Sequence, residues 1–389
     1  MIQRMLSHTL RKAAEKMPII TITGPRQSGK TTLVRTVFPE HRYYNLEYPD
    51  TREYAIIDPR GFLNSAPQMI IDEVQNVPNL TSYMQGIVDE EQRSAQFILT
   101  GGRHPASQNF SLAQSVSQSL AGRSTIFHLL PLSLTELQAA GYPTETYLPW
   151  LYRGFYPRLY DQNLTPDEWL PDYIQTYLER DIRQITQVQN LTTFQIFLKL
   201  CAGRIGQLLN MASLANEVGV DVKTIKSWVS VLEASYIVFL LRPYYRNYGK
   251  RVVKTPKLYF YDTGLACSLL GIKNADQLAS HYLKGELFES LIIAELQKHQ
   301  YHKGWRPTNY FWRDNTGNEV DFLLEDGTTT QVAEIKSGQT IRANFFKGLN
   351  FYRKISSPAA SYLIYGGTES QNRSEHTVLG WVDATQLLS

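Results

Sequence analysis

Short apolar runs alternate with amphipathic segments along the first 135 residues. Residues 1–16 have the spacing of an amphipathic helix, and strand-length apolar runs follow at 17–23, 43–46, 68–72, 96–100 and 125–129. Helix-like segments lie between these runs. Strands that alternate with helices predict a parallel sheet that is covered on both faces. The first unit is therefore expected to have an α/β fold.

The pattern changes after this unit. Residues 135–189 are predicted to be helical, and short helices follow at 194–209, 213–218 and 222–234, with strands at 236–242 and 257–261. A long helix at 285–299 and a helix at 345–354 then accompany strands at 310–314, 319–324, 331–336 and 360–365. These changes predict four segments: 1–135, 136–190, 191–264 and 265–389.

Composition is that of a globular protein and excludes several classes of function. Of 389 residues, 43% are hydrophobic and 19% charged, and the formal net charge of +3 permits a nucleic-acid partner without requiring one. Cys201 and Cys267 are far apart, so neither a disulfide scaffold nor a zinc ribbon is expected. His299 and His302 lack the other members of a metal-binding set and are expected on the surface. No apolar stretch is long enough to span a bilayer, and we expect a cytoplasmic protein without membrane contact.

Residues 24–31, with the sequence GPRQSGKT, match the P-loop pattern GxxxxGK[ST] between a predicted strand and a predicted helix. Glycines in this pattern allow backbone N–H groups to surround phosphates, and the helix presents its positive end to them. Lys30 is expected to reach the terminal phosphates of ATP, and the Thr31 hydroxyl to bind Mg²⁺. The predicted nucleotide-binding residues are Gly24, Pro25, Arg26, Gln27, Ser28, Gly29, Lys30, Thr31, Thr32 and Thr100.

The strand at 68–72 leads into two adjacent acids, Asp72 and Glu73. Asp72 is expected to bind the magnesium ion, directly or through water. Glu73 is expected to be the base that polarises the attacking water. The site is therefore predicted to take ATP or ADP together with Mg²⁺.

Two further residues extend this prediction. The strand at 43–46 intervenes between the two motifs, which is typical of ATPases whose motif strands are not neighbours. Thr100 stands where such enzymes carry a polar sensor of the γ-phosphate, and the alternative is a strand-terminal cap. Arg123 is a candidate arginine finger that would act across the interface of a homo-oligomer, and the alternative is a surface arginine in a loop.

Residues 213–233 have the spacing of a helix-turn-helix, and the two strands that follow would form a wing. Lys223 and Lys226 face outward on the second helix, where DNA-bound examples contact bases or phosphates. The stretch 240–260 contains no acid and places Arg246, Lys250 and Arg251 among tyrosines. DNA contact is one interpretation of this region. Packing against a neighbouring domain or subunit is the other.

Asp321 on one predicted strand and Glu334 with Lys336 on the next match the core of PD-(D/E)xK nucleases, and Glu289 supplies an upstream acid on a helix. This chemistry needs two carboxylates to hold Mg²⁺ against the scissile phosphate, and a lysine to position or deprotonate water. All four residues are predicted to be catalytic, with Asp321 and Glu334 as metal ligands. The alternative is a retained nuclease fold whose acids and lysine form surface pairs.

Longer motifs carry a family resemblance: GPRQSGKT, IIDE, FILTGG, SLAGR followed by PLSLTEL, YLERDI, LYFYDTGLA, GELFE, and EVDF with EIKSG. With them the chain resembles, over nearly its whole length, a widespread prokaryotic family of AAA+ ATPases with a nuclease-like C-terminal domain. The resemblance implies an α/β architecture: a P-loop AAA+ parallel-sheet domain, a helical lid and winged helix, then a PD-(D/E)xK restriction-endonuclease-like α/β domain. It also implies ATP binding and ring assembly.

Three functions follow from these predictions. The leading one is an oligomeric AAA+ ATPase that acts on DNA through the winged helix and the nuclease-like domain. The competing one is a nucleotide-dependent switch that recognises a protein partner, with the nuclease-like domain as an inactive docking module. The third is a nuclease in which ATP serves only to permit assembly. Stimulation of ATP turnover by DNA would favour the first function, and stimulation by a protein partner the second.

Overall fold

The computed structural model describes residues 2–91, 93–101, 120–143, 145–178, 191–244, 253–327 and 329–388, with the side chains of 177 and 178 excluded. Three of the predicted DNA-binding residues lie outside these ranges: Arg246, Lys250 and Arg251. The predictions for them stay predictions.

The first unit contains a five-stranded sheet in which all neighbouring strands are parallel. Its strands are β1 (Ile19–Thr23), β2 (Arg42–Asn45), β3 (Met69–Asp72), β4 (Phe97–Thr100) and β5 (Ser124–His128). They lie in the order β2-β3-β4-β1-β5, so β4 separates the P-loop strand from the strand that carries Asp72. The prediction of an α/β parallel-sheet domain is confirmed.

Helices cover both faces of this sheet because its central strands are apolar on both sides. All five positions of β1 are buried, as a parallel strand covered on both faces requires. The side chains of Ile20 and Ile22 pack with the N-terminal helix, and Ile19 packs with the core on the other face. The helices of this unit are Leu6–Ala14, Lys30–Val37, Pro49–Ile57, Pro59–Leu63 and Leu80–Glu91.

Short helices connect the first sheet to the second. Ser133 begins the first of them with a capping box, in which its hydroxyl accepts from the Glu136 N–H and the Glu136 carboxylate accepts from the Ser133 N–H. The described helices between the sheets are Leu134–Ala139, Leu148–Arg153, Pro157–Asp161, Pro166–Tyr173, a π-helical turn at Ile174–Leu178, Leu191–Ala202, Met211–Val218 and Val222–Ala234. The last two are joined through Gly219, whose φ of 78° is left-handed.

The second sheet has eight strands and continues across a predicted domain boundary. Its strands are β6 (Val238–Pro243), β7 (Lys257–Phe260), β8 (Asn309–Arg313), β9 (Glu319–Asp326), β10 (Thr329–Lys336), β11 (Ala360–Tyr365), β12 (Gln371–Asn372) and β13 (Thr377–Gly380). The order is β12-β13-β11-β10-β9-β8-β6-β7. The antiparallel pair β6–β7 is attached to the C-terminal strands because β6 pairs with β8 at Arg242 and Pro243. The four predicted segments remain a prediction, with this sheet shared by the last two.

The helix Lys284–His302 connects the two sheets. Glu289, in its first half, faces β7 through Lys257 and Tyr259. Near its end, the Glu295 carboxylate accepts a 2.7 Å hydrogen bond from the Leu134 N–H. His302 is buried with 4% of its surface exposed, so its expected surface position is wrong. The long helix therefore contacts the C-terminal sheet with one half and the segment after β5 with the other.

Candidate functional site

The backbone of residues 24–29 has the left-handed conformations that a phosphate-binding loop needs. Gly24, Gln27 and Gly29 have φ values of 153°, 62° and 88°. A Cβ atom at Gly24 would lie 2.1 Å from the Leu129 carbonyl oxygen, so only glycine fits there. The loop is held closely against the segment that follows β5.

Lys30 lies folded back over this loop. Its ammonium donates to the carbonyl oxygens of Gly24 at 3.0 Å and Pro25 at 2.8 Å. The Ser28 hydroxyl also donates to Pro25, at 2.9 Å. Because these are backbone contacts, a phosphate group offers Lys30 a stronger, charge-assisted partner at the same place.

Asp72, at the end of β3, accepts hydrogen bonds from three hydroxyl groups. Thr31 donates to its Oδ2 at 2.7 Å and Tyr43 to the same oxygen at 2.8 Å, while Thr100 donates to Oδ1. All three donors are neutral, so they orient the carboxylate and leave its charge uncompensated. The Thr100 side chain is fully buried, and both its sensor role and its cap role stay predictions.

Glu73 follows in a left-handed conformation with φ 55°, a rare geometry for a residue with a side chain. Its carboxylate accepts from the Gln75 amide and lines the same cleft as Lys30 and Thr31. Burial raises the pKa of Glu73 above its usual range, opposed by Lys30 and reinforced by Asp72. The conformation therefore turns the side chain into the cleft at the expense of backbone strain.

The cleft itself has a volume of about 510 Å³ and lies between the P-loop and the helix Pro157–Asp161. Arg26 and Arg158 add positive charge to it, the second from that helix. The sequence motifs did not identify Arg158. The lining thus contains one lysine and two arginines together with three acids, Glu47, Glu73 and Asp161.

A second cavity of about 260 Å³ adjoins the cleft and shares Gly29, Thr32 and Pro157 with it. Arg4, which the sequence analysis also missed, lines this cavity and is 8% exposed. Its guanidinium donates to Ser28 O at 2.7 Å, Leu130 O at 2.7 Å and Glu136 Oε1 at 3.1 Å. Arg4 thus ties the P-loop to the segment after β5.

Arg123 lies at the opposite edge of the first sheet from the P-loop. It precedes Ser124, which pairs with Ile19 at the start of β1, whereas the P-loop follows the end of β1. The guanidinium makes a two-fold contact with the Asp89 carboxylate, at 2.5 and 2.8 Å. Both side chains are substantially exposed, so Arg123 is available to another chain and far from its own cleft.

Lys223 and Lys226 are exposed on the helix Val222–Ala234. The opposite face of that helix is buried through Ile225, Trp228 and Leu232. The structure therefore places the two lysines outward, as predicted. Neither touches the nucleotide cleft.

The predicted C-terminal residues come together at β7, β9, β10 and the long helix. Lys336 Nζ lies 3.0 Å from Asp321 Oδ2 and 2.7 Å from Glu334 Oε1. Lys257, which the sequence analysis did not single out, lies with its Nζ 3.0 Å from Glu289 Oε1 and also pairs with Glu319. The acids and lysines therefore form ion pairs, which are buried at Lys257 and partly exposed at Lys336.

The pKa values of the carboxyl groups in this cluster are shifted in different directions. Burial raises the pKa of Glu289 to about 7, and burial together with the Asp321 charge raises that of Glu334 to about 8. Burial also acts to raise the pKa of Asp321, but the charges of Lys336 and Lys257 outweigh it and hold that pKa below its usual range. Among these three carboxyl groups, Asp321 is therefore the strongest acid.

A cleft of about 570 Å³ opens beside this cluster. Its lining includes Lys257, Arg313 and Lys336, together with Glu286 and Glu289. The loop around Gly206 forms one wall, and a Cβ atom at Gly206 would lie 3.0 Å from the Glu286 Cβ. The C-terminal site is therefore shaped in part by the segment before the predicted helix-turn-helix.

Neither a helix that could cross a membrane nor a group of three or more His, Cys, Asp or Glu side chains arranged for a metal ion occurs within the described ranges.

Family comparisons divide the chain into three parts. The family described as "AAA domain" matches residues 16–138, and two families described as domains of unknown function, DUF8612 and DUF4143, match residues 144–276 and 284–383. The first match coincides with the five-stranded sheet and the nucleotide cleft.

Solved structures give weak matches. The Walker-type ATPase paby2304 of Pyrococcus abyssi is 13% identical with a TM-score of 0.35, covering 69% of this chain and 96% of that protein. AMPPCP-bound DnaA from Aquifex aeolicus is 14% identical with a TM-score of 0.30, covering 59% and 85%. At TM-scores this low the similarity carries no information on function.

Two relatives are closer in sequence: uncharacterized protein Rv2008c of Mycobacterium tuberculosis and uncharacterized protein Mb2031c of Mycobacterium bovis. Each is 31% identical over 337 residues, which is 85% of this chain and 73% of the relative. The protein therefore belongs to the same family as these two mycobacterial proteins, and its first unit is an AAA domain of the P-loop ATPase type.

Proposed function

We propose that this protein binds ATP together with Mg²⁺ and hydrolyses it. The observation that carries the proposal is the arrangement around Asp72. Its carboxylate accepts from Thr31, Tyr43 and Thr100, and Thr31 also lines a cleft together with Lys30 and Glu73. The P-loop lysine, an oriented acid and a separate base are the parts that phosphoryl transfer to water requires.

The residues present fit a magnesium ion. Thr31 and Asp72 offer a hydroxyl and a carboxylate oxygen 2.7 Å apart, and Mg²⁺ prefers such oxygen ligands together with water and phosphate. When bound there, Mg²⁺ would neutralise charge on the β- and γ-phosphates. Lys30 would exchange its backbone contacts for phosphate oxygens. Glu73 would orient the attacking water and accept its proton, which its raised pKa favours.

The cavity beside Arg4 suits the adenine and ribose of the nucleotide. It is continuous with the phosphate cleft through Gly29 and Thr32, and Leu33 and Leu132 contribute apolar surface to it. Arg158, on the opposite wall of the cleft, would contact the phosphates. Closure of the helix Pro157–Asp161 over the nucleotide would bring this arginine closer, so binding and movement of the middle segment would be coupled.

In this proposal the protein forms a homo-oligomer, with a ring as the simplest form, and a neighbouring subunit completes the nucleotide site. Arg123 is exposed, lies at the edge of the sheet away from its own cleft, and would serve a neighbouring subunit's nucleotide as an arginine finger. Its Asp89 contact would hold it until that neighbour is present.

Turnover by Arg123→Ala should fall about 10³-fold with ATP binding retained. The exposed Arg93 provides the matched control in Arg93→Ala, and equal turnover in both variants would exclude the finger role.

We further propose that ATP turnover acts on DNA through a winged helix, formed by the helices Met211–Val218 and Val222–Ala234 with β6 and β7. Lys223 and Lys226 stand on its exposed face, and the C-terminal sheet with its acids supports the proposed PD-(D/E)xK fold.

A second candidate function is a switch that recognises a protein partner through an inactive nuclease-like domain. The ion pairs of both C-terminal lysines favour that second function.

The decisive experiment is ATP hydrolysis by the full chain, alone and with duplex or single-stranded DNA, beside the variant Glu73→Gln. Stimulation by DNA that Lys223→Ala/Lys226→Ala together reduce would support a DNA-coupled ATPase. Turnover that depends on Glu73 and ignores DNA would support the partner-recognising switch. Turnover that survives Glu73→Gln unchanged would contradict the assignment of the catalytic base.

A further inference from the structure

The C-terminal cluster contains two cations of its own among the acids of the nuclease pattern. Four carboxylates converge there, and two ammonium groups lie between them. Lys336 contacts Asp321 and Glu334, and Lys257 contacts Glu289 and Glu319. Each carboxylate thus already has a charged partner. This arrangement differs from a metal centre, whose ligands keep their charge for the ion.

Lys257 is the less expected of the two lysines. It opens β7, which lies beyond β6 at the edge of the eight-stranded sheet, and it has no counterpart in the D-(D/E)xK pattern. Only 4% of the surface of Lys257 is exposed. Its charge is therefore removed from solvent, and the surrounding acids must stabilise it. Tyr259, two positions further on the same face of the strand, also donates to Glu289.

Two of the carboxylate oxygens face backbone atoms. Asp321 Oδ2 accepts from the Ile335 N–H at 2.8 Å in addition to Lys336. Glu334 Oε2, which has no hydrogen-bond partner among the described residues, would lie only 2.8 Å from a Cβ atom on Gly348. It therefore faces the backbone at the start of the helix Lys347–Ile355. Because each carboxylate of the cluster pairs with an ammonium group, the donor set does not fit a divalent cation.

We propose that Lys257 and Lys336 together replace the divalent cation of the C-terminal cluster, so that this protein binds no metal there and the site does not cut nucleic acid by metal-assisted hydrolysis. The site instead holds the long helix and β7 to the C-terminal sheet through neutralised acids. This inference is independent of the ATPase proposed above, because it concerns a separate set of residues.

Binding of Mn²⁺ to the nucleotide-free full chain tests the proposal, measured as the loss of the free-ion paramagnetic resonance signal. Asp321→Asn should leave the Mn²⁺ binding of the wild-type chain unchanged. Lys257→Met should gain a site that Asp321→Asn, introduced into the same chain, removes. Lys254→Met, at an exposed lysine three residues away, is the matched control and should gain none.

The proposal is overturned if Asp321→Asn removes Mn²⁺ from the wild-type chain, or if a folded Lys257→Met gains no site. Folding of each variant is checked by its thermal transition and its elution volume. Should Lys257→Met not fold, the comparison of wild type with Asp321→Asn decides the question alone. Mn²⁺-dependent cleavage of plasmid DNA by the wild type that Asp321→Asn abolishes would equally contradict it.

Discussion

The two acidic sites of this molecule differ in what faces their carboxylates. Asp72 accepts from the hydroxyls of Thr31, Tyr43 and Thr100, whereas the C-terminal acids accept from the ammonium groups of Lys257 and Lys336. Hydroxyl donors fix the orientation of a carboxylate and leave its charge for a cation. Ammonium donors fix the orientation and neutralise the charge as well.

In the two proposals above, this difference separates a site that binds Mg²⁺ from a site that binds no metal. In both sites the acids stand on apolar strands, and both sets of acids match a sequence motif of metal-dependent phosphate chemistry. The charge on the groups around the acids, and not the acids themselves, distinguishes them. Substitutions that change those surrounding groups therefore test the comparison most directly.

The largest effect is expected at the proposed base of the first site. Glu73→Gln keeps the size of the side chain but cannot act as a base, so ATP turnover should fall about 10²–10⁴-fold while ATP still binds. Steady-state phosphate release and equilibrium binding of a fluorescent ATP analogue measure the two quantities. Glu40→Gln, at an exposed position of the same unit, should leave both unchanged. Loss of binding together with turnover would point to a structural role for Glu73.

A large loss of stability is expected when one partner of the buried C-terminal pairs is removed. Lys257→Met leaves Glu289 and Glu319 without their shared ammonium, which should lower the free energy of unfolding by about 3–5 kcal/mol. Adding Glu289→Gln removes part of the uncompensated charge and should recover some of this loss. Chemical denaturation of the single and double variants measures the difference. A double variant less stable than Lys257→Met would show that the pair is not the dominant interaction.

A pH dependence should arise from the same cluster. The pKa values of Glu289 and Glu334 are raised by burial to about 7 and about 8, so the folded state holds protons that the unfolded state releases at lower pH. The free energy of unfolding should therefore decrease as the pH rises from about 5 to 8, by up to about 1.4 kcal/mol per pH unit for each group.

Glu334→Gln should flatten that dependence because glutamine does not titrate. Denaturation midpoints at closely spaced pH values, compared between this variant and the wild type, measure the slope. Glu325→Gln, on the neighbouring strand β9, is a control whose slope should match the wild type. A wild-type stability that stays constant or increases over this range would contradict the raised pKa values.

Local features of the fold could be predicted from the sequence because they depend on neighbouring residues. The run at 19–23 is apolar and precedes a glycine loop, and the strand and the P-loop were both placed correctly. The helix predicted at 285–299 is observed at Lys284–His302. The predictions that Glu73, Asp321 and Lys336 are catalytic remain predictions, although the structure places each of them in a polar cleft or cluster.

Long-range partners could not be predicted in this way. Arg4 contacts Glu136 and the P-loop, and Lys257 contacts acids on a helix and on a strand that follow it in the chain. Neither the hydrophobic periodicity of a sequence nor the spacing of its motifs indicates such contacts. The surface position expected for His302 was wrong for a related reason: the end of the long helix packs against the N-terminal helix, where the Thr9 hydroxyl donates to the His302 carbonyl oxygen at 2.6 Å.

The smallest effect we predict concerns a single neutral donor at Asp72. Thr100→Val removes one hydroxyl from Oδ1 and keeps the shape of the side chain, while Thr31 and Tyr43 still hold Oδ2. Because a buried hydrogen bond of this kind contributes about 1–3 kcal/mol, stability and ATP turnover should both decrease modestly, with turnover lowered about tenfold. Thr100→Ser, which retains the hydroxyl, should restore most of the turnover. If Thr100→Val instead abolishes turnover without changing stability, Thr100 senses the γ-phosphate directly, and the neutral donors of the first site have a catalytic role beyond orienting Asp72.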